Sequence, residues 1–265
     1  MGMAEQKIPK ILHYCAFGSG FQISEEILAT WKKYCPDYEI MCWSESNFDI
    51  NCCDYVREAY ESRKWAFVSD VARLWALKNH GGIYLDTDVE LTGNLDKFLA
   101  HDTFVGYEDK DRVGTAIIGA AAGSSMISDL LDEYSNLRFI TDGGEDLTPN
   151  VEKIGRYLTR NGFTLDGKYN MINGVAVYPQ EYFSPRDFVT GKINKTSNTC
   201  AIHHYQASWK TPEEIDRDGL FFKFNRRLPQ GLAWNIASYI SVMKHRGIIR
   251  GHKDMFKLLA GKKDD

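Results

Sequence analysis

The chain has 265 residues, 43% hydrophobic, 13% aromatic and 26% charged, enough for one large core or two small ones and too apolar for a disordered chain. Its net charge of −4 excludes a nucleic-acid binder that works through overall positive charge. The mean hides a division, because residues 220–263 hold ten basic side chains against one acid, Asp254, leaving +9 there and −13 elsewhere.

The first ten residues contain no apolar run of a signal peptide, and a cytoplasmic protein is expected. The uncharged stretch at residues 228–243 is too short and too polar to span a bilayer. No C-x-x-C pair occurs among the six cysteines, which argues against a structural zinc site and predicts reduced thiols.

Residues 7–14 read as a strand and 17–20 as a turn. Ser24 caps a helix with Glu25 and Glu26 in its first turn, and Ile27, Leu28, Trp31 and Tyr34 fall at helical spacing. Pro36 and Asp37 end it, and 38–43 form a second strand, the opening of an α/β fold. A second helix is predicted over 64–79, with Phe67, Val71, Leu74, Trp75 and Leu77 as its apolar stripe and Gly81 or Gly82 as a left-handed cap. Residues 83–85 are a short buried strand ending in Asp86-Thr87-Asp88. Strands are predicted at 103–107, 115–119, 175–178 and 199–203. Helices are predicted at 124–137 and 151–161, the latter after a Gly/Asp-rich loop at 141–150. Leu232, Ala233, Ile236, Tyr239, Ile240 and Met243 recur at helical spacing ahead of Lys244, Arg246 and Arg250. The organisation expected is an α/β domain over 1–210 and a basic helical appendage over 211–265.

Asp86 and Asp88, at i and i+2 of an extended segment, project to the same side. Two anions so placed repel unless a cation lies between them, and oxygen ligands suit Mg²⁺ or Mn²⁺ with substrate phosphates. A bare D-x-D is more often a solvated loop pair, but this one ends a buried strand, where ligands of open α/β sheets gather. Asp70 and Arg73, at i and i+3, share a helix face. In isolation they would be a surface ion pair, yet the helix leads directly into the aspartate strand, and a carboxylate–guanidinium pair can hold sugar hydroxyls. Of the adjacent His203 and His204, strand alternation lets at most one join a borderline cation such as Mn²⁺.

The stretch from Ala66 through Asp70 and Arg73 to Gly81-Gly82-Ile83-Tyr84-Leu85-Asp86-Thr87-Asp88 resembles the DXD region of glycosyltransferase family 32, and is similar to that of the clostridial glucosylating toxins. Ile8–Tyr14, Trp31-Lys32-Lys33 with Pro36-Asp37-Tyr38-Glu39-Ile40 and Trp43, and His203-His204 with Ser208-Trp209 match in order, covering roughly residues 7–210. The resemblance implies a GT-A fold, a Rossmann-like mixed sheet flanked by helices. It implies a retaining transfer of a hexose or N-acetylhexosamine from a nucleotide-sugar, a UDP-sugar above all, with Mn²⁺ or Mg²⁺. Acceptors would be glycans or lipid-linked saccharides in capsule and surface-polysaccharide synthesis. By position, Asp86, Asp88 and His204 would hold the metal, and Asp70, Arg73 and Asp86 would act on the donor sugar. Tyr84 would line the pocket, Ser208 and Trp209 would close over the diphosphate, and the turn with Tyr14, Ala16 and Phe17 would hold the base. Relatives often carry Trp where this chain has Ala16, so base stacking, worth roughly 1–3 kcal/mol, would fall to Phe17 or Tyr14, or else the base is not uracil.

The competing reading is a catalytically inactive sugar-nucleotide or carbohydrate-binding module. The basic tail is either a helix packed on the catalytic domain or a peripheral foot, residues 220–263, on an anionic membrane such as the inner face of the cell membrane.

Overall fold

The computed structural model describes residues 5–18, 22–187, 192–205, 212–225 and 227–247. They fall into two compact units, the first running through Arg186 and including Asn194–Tyr205, the second holding the remainder.

In the first unit the chain order is β1 (Ile11–Cys15), α1 (Glu25–Tyr34), β2 (Glu39–Trp43), α2 (Asp54–Glu61) and α3 (Trp65–His80). Next come β3 (Gly82–Leu85), β4 (Val89–Leu91), β5 (Thr103–Asp109), β6 (Arg112–Ala120) and α4 (Ser125–Glu133). A two-residue hairpin pair, β7 (Ile140–Thr141) and β8 (Gly144–Glu145), precedes α5 (Asn150–Arg160), β9 (Asn170–Ile172), β10 (Val175–Tyr178) and β11 (Ala201–His203). Seven strands form one mixed sheet in the order β2-β1-β3-β6-β5-β10-β9. β1 is parallel to both β2 and β3, β6 runs antiparallel between β3 and β5, and β10 is parallel to β5. This is the mixed, helix-flanked α/β sheet expected, and it is consistent with a GT-A-type fold.

Alternation along β3 explains why all four of its residues are buried. Tyr84 enters the core with Val105, Ile118 and helices α2 to α5, while Ile83 and Leu85 enter the opposite core with Phe104, Ile117 and α1. A strand covered on both faces has no polar side to spend. Ser24 caps α1 as its sequence required, its side chain accepting from the Ile27 amide at 3.2 Å.

The two glycines before β3 have separate duties. Gly81 ends α3 at φ +65°, and Gly82 opens β3 at φ +110°. A Cβ on Gly82 would lie 2.7 Å from the Ile11 carbonyl oxygen and 2.8 Å from His13 Nε2. β3 therefore sits against β1 only because nothing but hydrogen occupies that side chain. His13 fills the space, its Nδ1 accepting from Trp43 Nε1 at 3.1 Å and its Nε2–H donating to the Gly81 carbonyl at 2.7 Å. An indole can only donate, which fixes this tautomer.

The second unit contains α6 (Pro212–Asn225) and α7 (Gln230–Arg246). Ala233, Ala237 and Ser241, one residue every four, are the buried positions of α7. Its partner is α6, with Ser241 Oγ donating to the Glu213 carbonyl at 2.5 Å. The basic end of α7 is matched by acids of α6: Lys244 with Asp216, His245 with Asp216 at 2.6 Å and Arg246 with Glu213 at 2.5 Å. No helix among the described residues is long and apolar enough to cross a membrane.

All six thiols are free. Among the segments unread in the sequence are α2, β4 and β9, each of eight residues or fewer, and α6, of fourteen. Eight residues or fewer of weak period give no pattern long enough to see in the first three, and in α6 the polar residues are spread around the helix.

Candidate active site

Four segments meet beyond the C-terminal ends of the parallel strands β1 and β3. The first is α3. Asp70 and Arg73 are 8% and 5% exposed, so they are not a solvated surface pair. Arg73 reaches Asp70 Oδ1 at 3.0 Å with one terminal nitrogen and Asp86 Oδ1 at 3.2 Å with the other. It also donates to the Thr115 carbonyl at 2.8 Å and lies 4.4 Å over the Tyr84 ring. One buried cation thus bridges two carboxylates, and Tyr84 completes the bracket by donating its hydroxyl to Asp86 Oδ1 at 3.0 Å. Burial pushes the Asp70 carboxyl up to about 6, with Arg73 acting in the opposite sense.

The second segment is the Asp86–Val89 connection. The two aspartates are brought together by a tight turn, closed by the Val89 amide donating to the Asp86 carbonyl at 3.0 Å. They do not lie on an extended strand, as the i, i+2 spacing had implied. β4 begins at once after Asp88, and its pairing partner is β11, with His203 opposite Val89.

That register decides which histidine joins the site. His203 Nε2 lies 3.3 Å from Asp88 Oδ1, and ligand atoms of Asp86, Asp88 and His203 are all within 4.8 Å of one another. His204 turns away and pairs with Glu90 Oε2 at 2.9 Å, while its amide donates to the Asp88 carbonyl at 3.1 Å. The position expected for His204 is therefore taken by His203, because neighbours on a strand face opposite sides. Burial works against a charge on His203, but Asp88, Asp86 and Glu108 together raise its pKa above the ordinary value. Its Nδ1 is buried without a hydrogen-bond partner among the described residues, and the Tyr205 ring covers it at 3.9 Å. Two carboxylates and an imidazole, clustered beside Arg73, are a donor set that suits Mn²⁺ or Mg²⁺.

The third segment is the turn after β1. Tyr14 is half-buried, edge-on to Trp31 at 5.7 Å. Ala16 donates its amide to the Trp43 carbonyl at 2.8 Å. Phe17 is 4% exposed and packs edge-on to Phe48 at 5.7 Å, so its ring belongs to the core and offers no face to a base. The ring that does stand at this turn is the half-buried Trp65, whose indole lies 2.8 Å from where a Gly18 Cβ would be. Ser208 and Trp209 lie outside the described residues.

The fourth segment was not read in the sequence. Asn150, 1% exposed at the start of α5, donates to the Asp70 carbonyl at 3.0 Å and accepts from the Tyr134 hydroxyl at 2.9 Å. It holds the backbone from which Asp70 projects. Glu108, on β5, packs on Gly114 of β6, next to Thr115 and Ala116, whose carbonyls receive Arg73 and the Asp86 amide. Burial raises its pKa, with Asp86 adding to the effect. Neither residue has a local signal: Asn150 looks like a helix cap, and Glu108 is one acid in an acid-rich turn.

Residues 24–105 match the family profile described as the glycosyltransferase sugar-binding region containing the DXD motif. An uncharacterized glycosyltransferase of Acanthamoeba polyphaga mimivirus is 29% identical over 155 residues, 57% of this chain and 61% of that one. Inositol phosphoceramide mannosyltransferase 3 of Schizosaccharomyces pombe is 29% identical over 143 residues, 50% of this chain and 38% of that one. The chain thus aligns with less than two thirds of these relatives' lengths. Among solved structures, the PaToxG glycosyltransferase superposes with a TM-score of 0.42 at 19% identity, over 58% of this chain and 68% of that one. A glycosyltransferase involved in glycosylation of the major capsid of PBCV-1 gives 0.44 at 10% identity, over 75% and 95%. Asp70, Arg73, Asp86 and Asp88 all fall within the region that matches the DXD-containing sugar-binding profile.

Proposed function

We propose that the protein is a metal-dependent, retaining glycosyltransferase that moves a hexose or N-acetylhexosamine from a UDP-sugar to a glycan or lipid-linked saccharide in surface-polysaccharide synthesis. The observation that carries this reading is the Asp86–Asp88–His203 cluster beside the buried Asp70–Arg73–Asp86 bracket. Asp86, Asp88 and His203 would hold Mn²⁺ or Mg²⁺, which supplies positive charge against the departing diphosphate. Asp70 and Arg73 would orient the donor sugar through its hydroxyls, fixed in place by Asn150 and by each other. As the sugar–phosphate bond breaks, positive charge grows on the sugar, and the carboxylates of Asp70 and Asp86 favour it electrostatically. Same-face attack by the acceptor hydroxyl, with the leaving phosphate accepting its proton, gives retention without a protein nucleophile. Tyr14 and Trp65 are the rings placed to hold the base, in a turn where Ala16 and Phe17 supply none. The appendage would rest on an anionic membrane, a reading supported by the exposure of Leu232, Trp234 and Ile240.

The test is thermal stabilisation by a panel of UDP-sugars with and without Mn²⁺, followed by UDP release. A true donor shifts the melting point as ln(1 + [L]/Kd). Stabilisation only with Mn²⁺, and turnover lost in Asp88→Ala without a change in melting, supports the proposal. Equal activity of Asp88→Ala sinks the metal assignment, and a trapped glycosyl-enzyme adduct refutes same-face attack.

A further inference from the structure

A groove of about 560 Å³ runs between the start of β6 and the outer face of α5. Its floor is apolar, from Val113, Val151 and Leu165, and Gly155 leaves it open in the middle of α5. Three guanidinium groups rim it: Arg112, Arg156 and Arg160. Arg112 is shared with Glu108, 3.6 Å away. Arg156 and Arg160 have no hydrogen-bond or ion-pair partner among the described residues. They stand one helical turn apart on the same face, with Cβ atoms about 5–6 Å from each other.

The groove and the candidate active site share a wall. Arg112 begins β6, and three residues on, the Thr115 carbonyl receives Arg73. At roughly 3.4 Å per residue this places the near rim about 10 Å from the bracket. Glu108 lies along the interval, ion-paired to Arg112 at 3.6 Å and packed on Gly114, the residue before Thr115. A molecule whose reactive hydroxyl lies at the bracket can continue into the groove along β6.

We infer that this groove is an acceptor subsite for a saccharide that carries an anionic group, a carboxylate or a phosphate. The inference rests on the glycosyltransferase reading for its direction, since the bracket is taken as the reacting end. Two free guanidiniums one turn apart suit a bidentate oxyanion. Asp111 and Glu152 line the same groove, and carboxylates there accept from ring hydroxyls. The apolar floor of Val113, Val151 and Leu165 suits a sugar face. A simple anion would use the arginines and leave the floor and the acids idle.

Amide shifts of Gly155 and Thr159 in the isotope-labelled full chain report on the groove. Four probes are titrated: glucose, glucose 6-phosphate, glucuronate and inorganic phosphate. Saturable shifts are expected with glucose 6-phosphate and glucuronate, at least fivefold tighter than with glucose or inorganic phosphate. The double variant Arg156→Gln/Arg160→Gln is expected to lose that preference while its melting temperature and its UDP release in the absence of acceptor stay as in the wild type. Equal response to glucose and its acidic forms overturns the anionic class. Equal response to inorganic phosphate and the sugar phosphate overturns the saccharide contact. Unaltered binding in the double variant removes the arginines from the site. Shifts of the active-site amides on adding UDP and Mn²⁺ are read in the same samples. Their absence counts against the glycosyltransferase reading, whatever the groove binds.

Discussion

His203 and His204 differ by one position and by everything around them. One ring faces Asp88 and the other faces Glu90. His203→Ala is therefore expected to weaken Mn²⁺ binding at least about tenfold, and His204→Ala to leave it within about twofold. Calorimetric titration of Mn²⁺ into both variants checks this, and the reverse order would return the ligand to His204. Arg73 is the other residue whose environment sets its worth. It is the cation nearest to two carboxylates, one of them 8% exposed. Arg73→Ala leaves those charges uncompensated, and breaking a buried pair in this way costs about 3–5 kcal/mol. Denaturant unfolding is expected to show that loss alongside the loss of turnover, whereas a surface pair would cost well under about 1 kcal/mol.

The elements that carry the site depend on small local fits. Gly82 is both left-handed and in contact with β1, so Gly82→Ala meets backbone strain and a clash together. A loss of more than about 2 kcal/mol is expected by chemical unfolding; a change within about 0.5 kcal/mol would show that β1 and β3 can separate freely. His13 underlies the same junction. Burial holds its pKa down to about 4, although the Gly81 carbonyl acts to raise it. A folded pKa below the ordinary 6.5 contributes stability that is present above pH 6.5 and is lost as the pH falls through about 4. The size is on the order of 3 kcal/mol. The imidazole proton shifts of His13 should stay those of the neutral ring to about pH 4.5, and a midpoint near 6.5 would contradict its burial. The aspartate pair shows how a motif can be legible while its geometry is not. The D-x-D was read from spacing as a strand feature, but a turn followed by the three-residue β4 brings the carboxylates together.

Across the whole molecule, the charge division seen in the composition resolves into two kinds of surface. The acidic part contains the bracket and the cluster, where carboxylates are balanced by Arg73 and leave room for a divalent cation. In the second unit, much of the basic end of α7 is already matched by Glu213 and Asp216. Its charge is therefore smaller than the sequence count implied, and its exposed apolar side chains, Leu232, Trp234 and Ile240, would supply most of any membrane affinity. Flotation of the full chain with vesicles rich in anionic lipid is expected to fall at least fivefold in Leu232→Ser/Trp234→Ser/Ile240→Ser. Equal flotation of the two proteins would dismiss the membrane contact.

The sequence by itself determined the α/β class, the helix that carries Asp70 and Arg73, the strand that delivers Asp86 and Asp88, and the resemblance that follows from them. These are local features: periodicity, caps and a motif within about twenty-five consecutive residues. Only the tertiary structure decided that His203 and not His204 completes the cluster, that Phe17 is core, and that Asn150 and Glu108 belong to the site. Each of these depends on which strand pairs with which, and in what register. β4 and β11 are more than a hundred residues apart in the chain and meet through backbone hydrogen bonds, which any side chain can accompany. Such pairing leaves no trace in local composition, and a shift of one residue would exchange the two histidines.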